Sequence, residues 1–300
     1  MPSDAYNAAV AALRQQMQNA AASPPPDLAT TRAGFEAAYS SMPVADGVSF
    51  APVDAGGVSA EWVTPTEVEG NRAIIYLHGG GYVVGNLNTH RHVVSRMAVG
   101  AKARLLNVDY RLAPENPFPA ALDDAMAAWQ WHLANGGEAA HTAISGDSAG
   151  GGLTIALCMK LRDEGMELPA CAAPISPWTD LTFSGDSMTE RAERDPMLAG
   201  ADSLHGMVMA YAQSVDATDP YISPVFGTFD NLPPMMIQVG TEEVLYDDST
   251  RVVKGIENAN GAVEFRPWQD MMHVWHLLAG VAPEAEEGIA EMAEYISTRT

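Results

Sequence analysis

From about residue 48 to the end of the chain, short runs rich in apolar and β-branched residues alternate with longer runs of helical period. The strand-like runs cover residues 58–63, 72–77, 104–110, 142–145, 170–175, 235–239 and 262–268. The helical runs cover residues 89–98, 120–133, 149–164, 250–259 and, at the close, 283–297. Strands that alternate with helices are joined by crossovers. The pattern therefore predicts an α/β fold, with a mostly parallel central sheet covered on both faces.

Two segments fall outside this rhythm. Residues 4–22 are alanine-rich and helical in period, and they stop at Ser23-Pro24-Pro25-Pro26, since proline cannot continue a helix. A second short helix is predicted over residues 28–40. Residues 177–223, between two core strands, are polar and methionine-containing and are expected to be mostly helical. An insertion at the active end of a sheet is a candidate lid. The expected organisation is N-terminal helices over 1–45 as part of a cap, a catalytic α/β domain over 46–176 and 224–300, and a cap insertion over 177–223.

Composition narrows the partners. The chain has 300 residues, 38 acidic against 16 basic, for a formal charge of −22. That sign repels phosphate backbones and anionic lipid, which disfavours nucleic acid and membrane surfaces. Only two cysteines occur, Cys158 and Cys171, in no metal-ligand spacing. They read as buried free thiols, so a disulfide-built secreted domain is not expected. The first 22 residues lack the continuous apolar core of a signal peptide, and no stretch has the ~20 apolar residues of a membrane helix. A cytoplasmic location is expected.

Gly146-Asp147-Ser148-Ala149-Gly150 fits G-x-S-x-G, follows a β-run and opens a long helical run. Small residues flanking the serine let the chain reverse sharply, and the hydroxyl then projects at a helix N-terminus, where developing negative charge is favoured. Ser148 is the candidate nucleophile. His78-Gly79-Gly80-Gly81 directly follows the run 72–77. Its consecutive glycines present backbone N–H groups that no side chain blocks. Two of them, with the N–H of Ala149 after the nucleophile, could hold a tetrahedral oxyanion. No G-x-x-x-x-G-K-[ST] pattern is present, so a phosphate loop is disfavoured. His78 reads as structural.

A serine nucleophile needs a neutral imidazole, and the imidazole needs a carboxylate to fix its tautomer. Three histidines follow Ser148: His205 in the insertion, and His273 and His276 beyond the last strand-like run. His273 comes first after that strand and is preferred, with His276 as the fallback. The acid should follow the run 235–239, where Glu242, Glu243, Asp247 and Asp248 all qualify. Composition does not choose among them. Asp247 and Asp248 are explained equally well as acids in the first turn of the next helix.

With these residues in hand, the chain resembles the bacterial hormone-sensitive-lipase family of esterases, on the α/β-hydrolase fold. The resemblance rests on His78-Gly79-Gly80-Gly81, on Asp109-Tyr110-Arg111-Leu112-Ala113-Pro114-Glu115 with Phe118-Pro119-Ala120-Ala121, on Gly146-Asp147-Ser148-Ala149-Gly150-Gly151, and on Ser176-Pro177-Trp178. These motifs keep order and spacing from about residue 70 to 280. The resemblance implies Gly80, Gly81 and Ala149 as oxyanion donors and the Tyr110–Glu115 stretch as support for that loop. It also implies an acid in a pattern like G-x-x-D-x-L. Gly240 and Leu245 match, and Glu243 stands where the family usually has Asp, with Asp247 in reserve. Tyr82 replaces the Phe or Trp often found after the glycines. Tyr82, Asp147, Met207 and Tyr211 are the expected substrate contacts.

The expected activity is hydrolysis of short-chain acyl esters through an acyl-serine intermediate, with no metal or organic cofactor. The expected partner is a small-molecule ester, and a homodimer is left open. Amidase or lactonase chemistry on the same residues is the nearest alternative. A non-catalytic receptor is the distant one, because the base position carries His273.

Overall fold

In the computed structural model, which describes residues 1–21, 26–198 and 201–300, the strand-like runs pair into a single sheet. In chain order the strands are β1 (Val48–Asp54), β2 (Ser59–Pro65), β3 (Ala73–Leu77), β4 (Arg104–Val108), β5 (Thr142–Asp147), β6 (Cys171–Ile175), β7 (Met235–Gly240) and β8 (Val263–Trp268). They lie side by side as β1-β2-β4-β3-β5-β6-β7-β8. β1 and β2 run antiparallel, as do β2 and β4, and all other neighbours are parallel. β3, β5, β6 and β7 are buried at every residue, which is why they read as unbroken apolar runs.

The helices are α1 (Asp4–Ala21), α2 (Leu28–Tyr39), α3 (Leu87–Ala101), α4 (Ala120–Ala134), α5 (Ala149–Asp163), α6 (Ser187–Glu190), α7 (Ala201–Tyr211), α8 (Tyr246–Asn258) and α9 (Pro283–Ser297). One face of the sheet is covered by α4, α5 and α8, through Leu122, Trp129, Leu153, Leu157, Val252 and Ile256. The other is covered by α3 and α9, through Val93, Met97, Ile289, Met292 and Ile296. Burying each such side chain stabilises the fold by roughly 1.5–3 kcal/mol. α3 starts earlier than its apolar period suggested, because Asn86 and Thr89 form a reciprocal cap that secures the first turn. No helix among the described residues is long and apolar enough to cross a membrane.

Three expectations need correction or restriction. β1 was not anticipated. It is an edge strand, no residue of it is fully buried, and it contains Pro52, so its alternation is too weak to read. The insertion 177–223 is not mostly helical: among its described residues only α6 and α7 are α-helix. Side-chain carboxylates take the backbone instead. Asp180 accepts from the N–H of Thr182 and Ser184, Asp195 from Met197 and Leu198, Asp216 from Thr218, and Asp219 from Tyr221. Such local bonds compete directly with helix formation. The predicted helix stop at Ser23–Pro26 lies, apart from Pro26, outside the described residues.

Asp248, buried on α8, anchors the start of the insertion by accepting the N–H groups of Thr179 and Asp180, both at 2.7 Å. At the other end of the chain α1 is tied to α9, since Ser3 donates to the Glu284 carboxylate at 2.9 Å through its hydroxyl.

Cys158 and Cys171 are free and buried, and burial pushes both thiols up to about 12. The thiolate is the reactive form. Ellman's reagent at pH 8 should therefore leave the native protein essentially unmodified and titrate both thiols once denaturant is added. Rapid labelling of either thiol in the native protein would contradict the packing of α5 against β6.

Candidate active site

β5 and α5 meet in a turn with almost no free space. A side chain at Gly146 would place its Cβ 2.4 Å from the Leu77 carbonyl oxygen, and at Gly150 1.9 Å from the same atom. Both neighbours are backbone and cannot give way. Between these glycines Ser148 adopts φ 53°, ψ −120°, a conformation that costs a non-glycine residue about 1–3 kcal/mol. The strain is held by ladder bonds. The Ser148 N–H donates to the Ile175 carbonyl at 2.9 Å, and the Ser148 carbonyl accepts from Trp178 at 2.9 Å. The hydroxyl is thereby set at the N-terminus of α5.

The glycine loop 79–81 leaves the end of β3 beside this turn. Asp147 fastens it: Oδ1 accepts the Gly79 N–H at 3.0 Å and the Tyr76 hydroxyl at 2.8 Å, with the His90 Nε2 at 3.3 Å. Burial alone would push Asp147 up. The His90 ring and the Tyr76 hydroxyl reverse this and hold the carboxyl at about 2. The Val83 and Val84 N–H groups turn back onto the Gly80 carbonyl at 3.1 and 2.9 Å, and Gly80 takes φ +113° to allow it. The N–H groups of Gly80, Gly81 and Ala149 donate to no protein acceptor among the described residues.

Supports lie behind the loop. Tyr110 donates to the His78 carbonyl at 2.6 Å, and its ring stacks on His78 at 4.3 Å. His78 is fully buried, which pushes it down to about 4. Arg32 on α2 donates to the Val83 and Ala113 carbonyls and pairs with Glu115.

His273 arrives from the far edge, after β8. Its Nε2 lies 2.9 Å from Ser148 Oγ and its Nδ1 lies 2.8 Å from Glu243 Oε2. The other Glu243 oxygen accepts the Gly240 N–H at 2.6 Å and the Ser176 hydroxyl at 2.6 Å. Burial raises Glu243, with His273 and Ser176 drawing it part of the way back. Burial would lower His273, but the Glu243 carboxylate outweighs it and the imidazole lies above its ordinary value. Asp247 is elsewhere: its carboxylate accepts the Ser187 N–H at 2.9 Å. His276 is also elsewhere, buried, with Nε2 2.7 Å from Gln238 Oε1. His205 lies beside Phe183 in the insertion.

Ser148, His273, Gly80 and Gly81 open into a cavity of about 370 Å³. Its outer walls come from α1 and α2, through Leu13, Phe35 and Tyr39, and from the insertion, through Met197, Leu198, Leu204 and Met207. Met207 presses on the glycine loop, its sulfur 2.0 Å from where a Cβ on Gly81 would stand. Asp147 borders the cavity, but its carboxylate is committed to the loop as described. Tyr82 and Tyr211 are not brought to the wall. Tyr82 has φ 62°, and its ring stacks on Tyr211 at 3.7 Å under the loop. A second cavity of about 400 Å³ opens near Trp62, Arg104 and Trp131, at the opposite end of the strands. No serine, cysteine or carboxylate lines it.

Sequence reasoning did not find three further contributors. Ser176 bonds Glu243 and also accepts the Val274 N–H at 3.3 Å. Tyr6 on α1 accepts the Met272 N–H at 2.7 Å, 266 positions along the chain, and donates to the Asp270 carbonyl at 3.3 Å. Asp195 accepts the Val244 N–H at 3.1 Å. Only Ser176 had a signal, as the first residue of Ser176-Pro177-Trp178.

A family model for the alpha/beta hydrolase fold matches residues 74–277. An acetyl-hydrolase of Streptomyces hygroscopicus is 42% identical over 248 residues, covering 83% of this chain and 82% of the relative. An esterase of Acinetobacter venetianus is 32% identical, covering 84% and 82%. A solved esterase from the bacterial hormone-sensitive lipase family superposes with a TM-score of 0.94 at 35% identity, over 100% of this chain and 99% of that one. The Ser148 turn, the glycine loop, the fold and the relatives agree: this chain is a hydrolase that belongs to the bacterial hormone-sensitive-lipase family of α/β-hydrolases.

Proposed function

We propose that the protein hydrolyses short-chain carboxylic esters through an acyl-serine intermediate. The observation that carries this reading is the unbroken hydrogen-bonded series Ser148 Oγ, His273 and Glu243, opening at the glycine loop. Ser148 Oγ attacks the ester carbonyl carbon while its proton passes to His273 Nε2. The oxyanion is received by the N–H groups of Gly80, Gly81 and Ala149, each worth about 3–4 kcal/mol to the transition state. The intermediate collapses, the carbon–oxygen bond to the alcohol breaks, and His273 returns the proton to the leaving oxygen. Water then attacks the acyl-serine with His273 as base, the bond between Ser148 Oγ and the acyl carbon breaks, His273 returns the proton to Oγ, and the carboxylic acid leaves. Glu243 holds the imidazole in the tautomer that accepts at Nε2 and stabilises the imidazolium. Residues 1–45 and 177–223 act together as the cap. Relatives named esterase favour esters over amides.

Ser148→Ala should fold normally and lose activity on p-nitrophenyl butyrate by ~10⁴-fold or more. Phenylmethylsulfonyl fluoride should modify Ser148 in the wild type, as peptide mapping would show. Modification of a different serine overturns the reading.

Glu243→Gln should lower kcat by ~10³–10⁴, whereas Asp247→Asn should cost much less. A reversed order would make Asp247 the orienting acid. The same comparison has a pH signature. His273 must be neutral to accept the proton, and Glu243 raises its pKa, so kcat/KM should fall as pH drops through a midpoint above the ordinary 6.5. In Glu243→Gln that midpoint should move down.

The cavity sets the third expectation. Each acyl methylene gains about 0.8 kcal/mol only while it can be buried. A cavity of about 370 Å³ soon fills. Over a p-nitrophenyl ester series, kcat/KM should peak at about four to six acyl carbons. A preference for twelve or more would show that the cap does not close the pocket.

A further inference from the structure

The insertion contributes a buried carboxylate for which the reaction proposed above has no role. Asp195 is 2% exposed. Its Oδ1 accepts the N–H of Met197 at 2.9 Å and of Leu198 at 3.3 Å, and its Oδ2 accepts the N–H of Val244 at 3.1 Å. Both oxygens accept and neither donates in any bond of the described residues, the pattern of a carboxylate. The nearby cations are engaged elsewhere. Arg194 pairs with Glu242, and Arg191 lies 3.8 Å over the Tyr246 ring and donates to the Thr241 carbonyl. Asp195 forms no ion pair with any Lys or Arg among the described residues.

Burying a charge without a counter-ion is costly. A turn of this kind could be capped by a neutral Asn or Ser. The position of Asp195 gives the charge a use. One side of it carries Met197 and Leu198, which wall the cavity. The other side carries Val244, whose neighbour Glu243 contacts His273. The turn is braced from α1, where Arg14 donates to the Glu193 and Arg194 carbonyls at 3.1 and 2.6 Å.

We propose that Asp195 is a positioning residue for the hydrolysis. One oxygen fixes the apolar wall of the cavity, the other fixes the segment that bears Glu243, and the charge stabilises His273 while it holds the serine proton. The inference rests on the roles proposed above for Ser148, His273 and Glu243. The charged and titratable groups around His273 are Glu243 at the end of β7, Asp195 in the insertion, Asp147 at the end of β5 and His276 on the following turn. The Tyr6 phenol on α1 reaches the segment that bears His273, its oxygen accepting the Met272 N–H at 2.7 Å. Glu243, Asp195 and Asp147 favour the imidazolium, and His276 opposes it when charged. Asp195 is the only one of the three carboxylates that comes from the insertion, so it links the cap electrostatically to the base.

The test uses the full chain with p-nitrophenyl acetate and butyrate. Asp195→Asn keeps an oxygen for the Met197–Leu198 turn but removes the charge and the Val244 bond. Asp195→Ser is a second neutral variant, whose smaller side chain can cap the same turn if the amide is not accommodated. Asp195→Glu restores the charge. In a neutral variant, kcat should fall about 10-fold, KM should change less than about threefold, and the acid limb of kcat/KM should move down by about 0.5–1 pH unit. Asp195→Glu should return the limb toward its wild-type position.

A neutral variant with wild-type kcat and an unmoved limb overturns the proposal. So does a lower kcat with an unmoved limb, which would make Asp195 only a turn cap. Ser148→Ala assayed alongside separates the two readings. If it stays active, the proposed reaction fails. If it is inactive while the Asp195 variants behave as wild type, only the role of Asp195 fails.

Discussion

The turn from β5 into α5 leaves no room between its own backbone and the end of β3. Gly146 and Gly150 touch the Leu77 carbonyl so closely that any Cβ would collide with main chain. That contact brings together two otherwise separate devices, the serine at the head of α5 and the glycine loop that continues β3. Because both follow central, fully buried parallel strands, neither can drift relative to the other. The strained φ of Ser148 persists because everything around it is over-determined.

Buried carboxylates organise the second level of the site. Asp147, Glu243 and Asp195 are all withdrawn from water, and each holds a different piece of backbone. Asp147 holds the Gly79 N–H, Glu243 the Gly240 N–H, and Asp195 the Val244 N–H. In a low-dielectric interior such bonds are strong, and an unpaired partner would be expensive, so each carboxylate acts as a rigid pin. One of them, Glu243, bonds the His273 imidazole directly. This accounts for the upward shift of His273 in a place where burial alone would force it down.

Bonds from α1 and from the insertion reach this centre directly. Tyr6 clamps the Asp270–Met272 segment that presents His273, and Arg14, two turns further along α1, clamps the turn that holds Asp195. Met207 closes over Gly81 from the insertion. The walls that shape the cavity therefore belong to the same helices and turns that hold the segments bearing Glu243 and His273.

Much of this was legible along the chain. Strand–helix alternation comes from local periodicity. The Ser148 turn and the glycine loop are contiguous motifs whose residue types are dictated by backbone crowding, and His273 follows from its place after the last strand. The rest depends on which distant groups meet. Four carboxylates follow β7, and their one-dimensional order does not say which of them reaches His273; the packing of the β7 end against Ser176 and Gly240 does. Tyr82 and Tyr211 were expected as substrate contacts, but their stacked rings are buried and do not line the cavity. The insertion read as helical because its composition permits helix, while its aspartates capture the backbone in turns. Local chemistry determined the fold class, the turn and the loop, because their steric demands lie within a few residues. Only the tertiary structure decided the acid's contact, the cavity walls and the bracing by Tyr6 and Asp195, because burial and hydrogen-bond pairing between segments up to 266 residues apart leave no periodic trace.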